Sequence, residues 1–236
     1  MILQQFLDRR YTNKEQLALR ELDCVNSDIT SLEGIEKLVN LRDLNCSHNR
    51  ITSLKGVDKL VNLTYINCSY NKLTSLKEIE RLVNITEFSC TENKLTSLEG
   101  LENFHNMYSL NCSSNELTSL DAIKNLVNLK ELTCGGNKLN SFKDIEKLIN
   151  LSDLGYAFNK LTSLEGIENL VNLVYLDCCY NSLTSLEGIE KLPKMESIFC
   201  SNNNLPYKIN ILEYIIKDIK AEKRKKFIGK LLNTNQ

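Results

Sequence analysis

A hydrophobic pattern with a period of 22 residues runs through most of the sequence and restricts what the chain can fold into. Each unit reads L-x-x-L-x-C-x-x-N-x-L-x-x-L-x-x-L-x-x-L-x-x, with Ile, Val, Phe or Met also found at the apolar places. We number these places 1 to 22 and call each unit a coil. Nine coils begin at Leu19, Leu41, Leu63, Ile85, Met107, Leu129, Leu151, Leu173 and Met195. Such a fixed period predicts stacked units, because one unit cannot bury its own apolar edge.

The two halves of the coil predict different local structures. Apolar places 1, 4 and 6 include the two-residue alternation of a short β-strand. Places 11, 14, 17 and 20 recur every three residues, which favours a 3₁₀ helix or a tight extended return. Asparagine at place 9 follows the strand in every coil but the first, which has Ser27. Because an amide both donates and accepts hydrogen bonds, we predict a ladder that satisfies backbone groups of neighbouring coils.

This pattern is the leucine-rich repeat signature, and its spacing resembles that of bacterial internalins and of a nuclear regulatory subunit of protein phosphatase-1. It is also similar to leucine-rich repeat proteins predicted in giant amoeba-infecting viruses. The resemblance implies an α/β fold: a right-handed solenoid of nine 22-residue coils, with a parallel sheet on the concave side and a 3₁₀ or extended convex side. Because the family binds many unrelated partners, the resemblance implies a fold more than a function.

The chain ends lack the repeat and predict helical caps. Residues 1–18 form the first cap, in which Thr12 and Glu15 have the spacing of a capping box. Residues 19–205 form the solenoid, and residues 206–236 form the second cap, where Ile211, Ile215 and Ile219 mark a helical stripe. Eight Lys and Arg against three acids make this last segment basic. A solvated helix face is the favoured interpretation, and a contact with an anionic membrane or nucleic acid, or a nuclear targeting segment, are the alternatives.

Eight of the nine cysteines share place 6, which predicts buried free thiols and not a disulfide framework. Closely spaced pairs of the zinc-binding type are absent, so we predict neither a metal nor a cofactor. Free thiols indicate a reducing, intracellular compartment, the cytoplasm or nucleus. The N-terminus does not resemble a signal peptide, and no run of 18 apolar residues predicts a membrane span.

The exposed face of the predicted sheet consists of places 2, 3, 5, 7 and 8, where the coils differ from one another. Acidic residues at these places outnumber the three basic residues Arg20, Arg42 and Lys130, so we expect an acidic surface. An acidic surface favours a basic protein or peptide and disfavours nucleic acid. The acids are Glu21, Asp23, Asp43, Glu87, Glu92, Glu131, Asp153, Asp177 and Glu196.

Aromatic side chains on this face are the candidate binding residues. Four of them come from three consecutive coils and are expected to cluster with Asp153, Asp177 and Cys179: Phe158, Tyr175, Tyr180 and Phe199. Tyr65 and Tyr70 form a smaller predicted group near His48 and Asp43, and Tyr108 lies between the two groups. Exposed aromatic residues ringed by polar groups are typical binding anchors, although exposed strands also tolerate them.

Tyr156 replaces the place-6 cysteine in one coil. A phenol is much larger than a thiol, so we expect the coil to bulge or the ring to turn outward, with Gly135, Gly136 and Gly155 giving room. Local repacking is favoured over a ligand pocket.

The residues give little support for catalysis. His48 lies six coils from Cys179, roughly 29 Å by strand spacing, which excludes a Cys–His dyad. We therefore predict a non-enzymatic module that binds a protein, with no small-molecule substrate, nucleic acid or membrane. The alternatives are a regulatory subunit of an enzyme such as a protein phosphatase, and thiol chemistry at Cys179, whose pKa Asp153 and Asp177 are expected to raise.

Overall fold

A computed structural model describes residues 1–205 and 214–215. Nine short strands, one for each coil, lie in parallel in the order of the chain, and each residue pairs with its equivalent in the next coil. The strands are β1 Glu21–Asp23, β2 Asp43–Asn45, β3 Tyr65–Asn67, β4 Glu87–Ser89, β5 Ser109–Asn111, β6 Glu131–Thr133, β7 Asp153–Gly155, β8 Tyr175–Asp177 and β9 Ser197–Phe199. The predicted solenoid is confirmed.

Each strand buries its central residue, at place 4, and turns the residues on either side of it toward solvent. Leu44, Ile66 and their equivalents join the apolar residues of the return half in one continuous core. The core extends from Leu3 to Cys200, so every internal coil is covered on both sides by its neighbours.

Short 3₁₀ helices form the back of the solenoid, and the residue at place 16 decides where each begins. In four coils place 16 is a glycine with positive φ, as in Gly34 and Gly166, and the helix begins at place 17. Coil 4, which has Gly100 there, has no 3₁₀ helix. Where Glu78 or Asp144 occupies it, the helix begins two places earlier. The helices are Ile35–Lys37, Val57–Lys59, Lys77–Ile79, Asp121–Ile123, Lys143–Ile145, Ile167–Asn169 and Ile189–Lys191.

Two helices, α1 Leu3–Asp8 and α2 Asn13–Ala18, precede the first coil. Leu3, Phe6 and Leu7 of α1 are buried in the core, which covers the apolar end of the first coil. At the start of α2, the Thr12 amide donates to the Glu15 carboxylate at 2.7 Å, and the Glu15 amide donates back to the Thr12 hydroxyl. The predicted capping box is therefore present.

Strand β10, Tyr214–Ile215, pairs antiparallel with β9 at the other end of the sheet. The prediction of a C-terminal helical cap was wrong for Ile215, which was assigned to the helical stripe. An edge strand such as β9 leaves a row of unpaired backbone groups, and an added strand satisfies them. The remainder of the predicted cap and its basic segment, residues 206–213 and 216–236, lie outside the described residues.

Candidate functional site

The asparagine ladder at place 9 holds the end of every strand in place. In coil 5, the Asn115 side-chain amide donates to the carbonyl oxygens of Cys90 at 3.0 Å, Cys112 at 3.1 Å and Ser113 at 3.1 Å. Its oxygen accepts from the Leu95 amide at 3.0 Å. The predicted ladder is confirmed, and it continues through Asn49, Asn71, Asn93, Asn115, Asn137, Asn159, Asn181 and Asn203.

A second asparagine ladder, which we did not predict, lies on the surface at place 22. The Asn128 side chain, for example, donates to the carbonyl oxygen of His105 in the preceding coil at 2.8 Å. The same contact recurs at Asn40, Asn62, Asn84, Asn106, Asn150 and Asn172. The sequence signal was a Val-Asn pair in most coils, and it was overlooked because these residues are exposed.

Place 8, directly before the ladder asparagine, has a left-handed backbone in every coil. Its φ lies between 50° and 65° from Asn26 to Asn202. Asparagine and Gly136 suit this conformation, whereas an ordinary side chain costs roughly 1–2 kcal/mol there. Tyr70, Phe158 and Tyr180 nevertheless occupy it. The turn thus projects bulky aromatic side chains from a position that does not favour them.

The four aromatic residues of the larger predicted cluster form two separate pairs. The rings of Phe158 and Tyr180 stack with their centroids 4.1 Å apart and their planes 9° apart. Both lie at place 8, and they remain 57% and 48% exposed. Tyr175 and Phe199 contact each other at 5.3 Å on strands β8 and β9, where they are half-buried. The first pair lies in the turn beyond the strands, and the second lies on the strands themselves.

The two predicted acids of this region lie beside the strand pair. Asp153 is in register with Tyr175, and Asp177 is in register with Phe199. Asp153 accepts a hydrogen bond from the Ser152 hydroxyl at 2.6 Å, and Asp177 accepts one from the Cys179 amide at 3.0 Å. Neither carboxylate forms an ion pair within residues 1–205. Both negative charges are therefore available to a partner.

The smaller predicted group is divided in the same way. Tyr70 stacks on His48 at 4.2 Å with the ring planes 10° apart, again at place 8. Tyr65 lies on β3, in register with Asp43 on one side and Glu87 on the other. The structure thus brings Tyr70 to His48 and Tyr65 to Asp43.

Place 7 is less exposed than predicted in coils 2 and 3. Ser47 and Ser69 there are only 5% exposed, and the hydroxyl groups of Ser69 and Ser89 bond to each other at 2.7 Å. In the other seven coils place 7 is half-buried, as Cys179 is in coil 8. The exposed and half-buried residues at places 2, 3, 5, 7 and 8 form the surface that we call the concave face.

All eight place-6 cysteines are buried free thiols, as predicted. Burial raises the pKa of each, for example to about 12 for Cys68 and about 11 for Cys200. Cys179 is half-buried, and burial also contributes most to raising its pKa, followed by its hydrogen bond with Asp177 and the charge of that carboxylate. Asp153 is not among the groups that affect it, contrary to expectation.

We therefore expect a thiol reagent at pH 8 to label only Cys179 in the folded protein, and more slowly than it labels a cysteine in a short peptide. The reason is that the raised pKa leaves less thiolate, which is the reactive form. Mass spectrometry of labelled peptides, with and without denaturant, checks this expectation. Labelling at Cys179 faster than in the peptide would instead support the thiol-chemistry alternative.

Tyr156 does not turn outward, so that prediction was wrong. Its ring is 1% exposed and packs against Phe142 at 4.8 Å, while its hydroxyl donates to the Ser141 carbonyl oxygen at 2.8 Å. Strand β7 keeps its register with both neighbours. A Cβ at Gly155 would lie 2.9 Å from the Thr133 methyl group, so glycine permits the close approach of β6 and β7. The core has repacked around the ring.

A stripe of exposed apolar residues at place 21 was also missed. Its members lie in coils 1 to 3 and 5 to 7, beside the surface asparagine ladder, and His105 occupies the same place in coil 4. The stripe comprises Val39, Val61, Val83, Val127, Ile149 and Val171. It is a second surface that a partner could contact.

In the described part of the chain, no three His, Cys, Asp or Glu side chains are grouped in a way that could hold a metal ion. None of the helices described there has the length and apolar character required to cross a bilayer.

Comparison with known proteins points to one family. A family model described as "Leucine Rich repeats (2 copies)" matches residues 18–60, 61–103 and 171–213. No curated protein matches the chain.

The solved structures that resemble the chain include three from Listeria monocytogenes. The internalin InlF is 26% identical with a TM-score of 0.80, over 85% of this chain and 61% of its own. The internalin InlC2 is 25% identical with a TM-score of 0.77, over 80% and 84%. InlJ, whose functional domain includes a cysteine ladder, is 29% identical with a TM-score of 0.60, over 81% and 51%. The chain thus spans about three-fifths of InlF.

The repeat of 22 residues, the parallel sheet with its asparagine ladder and the family model agree. The chain belongs to the leucine-rich repeat family.

Proposed function

We propose that the protein is a non-enzymatic module that binds a basic protein or peptide on its concave face. Leucine-rich repeats are typical of protein interaction modules. In this proposal Phe158, Tyr175, Tyr180 and Phe199 are the anchors, with Tyr65 and Tyr70 as further contacts. The carboxylates of Asp153 and Asp177 orient the partner.

The exposed stack of Phe158 on Tyr180 carries the proposal. Place 8 favours asparagine or glycine, and coils 1, 6 and 9 have those residues there. The left-handed backbone costs roughly 1–2 kcal/mol at each of these two residues, whereas an aromatic pair contributes about 0.5–1.5 kcal/mol. A role in binding accounts for aromatic residues at this strained place, since strain of this kind accumulates at functional sites.

The charge of the face supports a basic partner. Asp153, Asp177 and Glu131 form no ion pair among residues 1–205. Unpaired carboxylates beside aromatic rings attract lysine or arginine side chains and repel phosphate groups. The free thiols, including half-buried Cys179, support action in a reducing compartment.

A variant with coil-9 residues placed in coil 8 tests the proposal. Tyr175→Ser and Tyr180→Asn introduce the side chains that Ser197 and Asn202 have at the same places. We expect the free energy of unfolding to fall by no more than about 2 kcal/mol, since no fully buried group is removed. Capture of basic proteins from a cell extract, quantified by mass spectrometry, should fall at least tenfold.

Ser114→Asn provides the matched control, because it makes the corresponding change at place 8 of coil 5, outside both aromatic groups. It should capture the same proteins as the unaltered chain. Equal capture by the coil-8 variant and this control would refute the assignment of the anchors.

A further inference from the structure

The two aromatic groups on the concave face are related by a shift of five coils. At place 8, the stacked pair His48 and Tyr70 in coils 2 and 3 corresponds to the stacked pair Phe158 and Tyr180 in coils 7 and 8. The centroid distances, 4.2 and 4.1 Å, and the interplanar angles, 10° and 9°, nearly coincide.

The same shift relates the strand residues at place 3. Glu21, Asp43 and Tyr65 lie side by side on β1, β2 and β3. Glu131, Asp153 and Tyr175 lie side by side on β6, β7 and β8. Each group therefore has two adjacent carboxylates and a tyrosine at one end of the strands, and two stacked rings at the other end.

The back of the solenoid does not follow this shift. Gly34 in coil 1 corresponds to Asp144 in coil 6, and Glu78 in coil 3 corresponds to Gly188 in coil 8. These exchanges change where the 3₁₀ helices begin. The shared pattern is thus confined to places 3 and 8 of the exposed face and does not reflect a uniform copy of five coils. At place 2, for example, Arg42 in coil 2 corresponds to Ser152 in coil 7.

We propose that the concave face carries two corresponding sites for one arginine-containing motif, presented twice by a single partner chain. This inference rests on the proposed function and extends it from one site to two. We call coils 1–3 site A and coils 6–8 site B. Within residues 1–205, Glu21, Asp43, Glu131 and Asp153 form no ion pair.

A guanidinium group fits both parts of such a site. It pairs with carboxylates through parallel hydrogen bonds and stacks on aromatic faces, whereas an ammonium group is a compact, strongly hydrated charge. Two adjacent carboxylates and an exposed ring offer both kinds of contact in each site.

The spacing and direction of the sites restrict the partner. Five strand intervals place equivalent residues roughly 24 Å apart along the sheet. Because all nine strands are parallel, the carboxylates and the stacked rings follow each other in the same direction along the strands in both sites. A two-fold symmetric dimer presents its second copy reversed, so the arrangement fits a tandem repeat of the motif in one chain.

Two synthetic probes test the inference. The single probe is the capped peptide Arg-Gly-Arg, and the tandem probe joins two copies by about 20 Gly and Ser residues, whose root-mean-square span is roughly 25 Å. At low salt, NMR spectra should show the single probe shifting amide signals of both sites, including Tyr70 and Tyr180. Fluorescence anisotropy should show the tandem probe binding at least about tenfold more tightly than the single one.

Tyr70→Asn and Tyr180→Asn then remove one site each with the same substitution. Each should reduce binding of the tandem probe to the level of the single probe, while Ser114→Asn should leave it unchanged. If Tyr180→Asn abolishes binding and Tyr70→Asn has no effect, there is one site, and the proposed function stands without its duplicate. If neither variant affects a probe that binds, both the two sites and the concave-face assignment fail. If neither the single nor the tandem probe binds, the proposal of an arginine-containing motif is wrong.

Discussion

Replacing Asn115 with alanine is expected to lower the free energy of unfolding by about 3–4 kcal/mol. The amide makes four hydrogen bonds in a buried position, joining coils 4 and 5. Its removal leaves the Leu95 amide and the carbonyl oxygens of Cys90 and Cys112 without these bonds, and a buried unsatisfied group costs about 1–3 kcal/mol. Urea unfolding followed by circular dichroism measures the change, and hydrogen exchange should show the largest loss of protection in coils 4 and 5.

The surface ladder provides the matched control. Asn128→Ala removes one exposed hydrogen bond between neighbouring coils, to His105. We expect a loss of about 0.5–1 kcal/mol, because water replaces the lost partner. Equal losses for the two substitutions would mean that burial of the place-9 amide is not what gives that ladder its importance.

Replacing Tyr156 with cysteine is expected to destabilise the protein by about 3–4 kcal/mol, although cysteine occupies place 6 in all the other coils. The ring fills space beside Phe142, and a thiol would leave a cavity there that the surrounding leucines cannot close. The repeat consensus thus predicts that cysteine is tolerated at this place, whereas the core packing predicts a loss of stability. Thermal and denaturant unfolding of the variant distinguish them.

Tyr156→Phe separates the ring from its hydroxyl group. It keeps the packing and loses only the hydrogen bond to the Ser141 carbonyl oxygen, so a loss of about 1 kcal/mol is expected. A cysteine variant as stable as the unaltered chain would show that coil 7 relaxes back to the form of its neighbours, and that the buried ring contributes nothing to stability.

Residues that recur in every coil made most of the fold predictable. Leu44 and its equivalents specify the buried centre of each strand, and Asn115 and its equivalents specify the turn that follows. These residues occupy the same backbone environment in each coil, so the structure of one coil predicts that of the others. The buried thiols were predictable for the same reason. The capping box at Thr12 was predictable because it depends only on a spacing of three residues.

Residues that occur once were harder to predict. The direction of the Tyr156 ring depends on Phe142 in the preceding coil and on Gly155 beside Thr133, so no local pattern indicates it. The aromatic residues were correctly placed on the exposed face. Their separation into pairs in the turns and a pair on the strands depends on the left-handed backbone at place 8. That backbone conformation could not be predicted from the residue types at place 8.

Photo-crosslinking from matched positions tests most directly the claim that the concave face is the binding surface. Phe158 on this face and Val61 on the apolar stripe are both 57% exposed, so a benzophenone amino acid at either position has similar access to solvent. We expect crosslinks to a basic partner in cell extract from position 158 and none from position 61. Crosslinks from position 61 alone would move the binding surface to the stripe and contradict the proposed function.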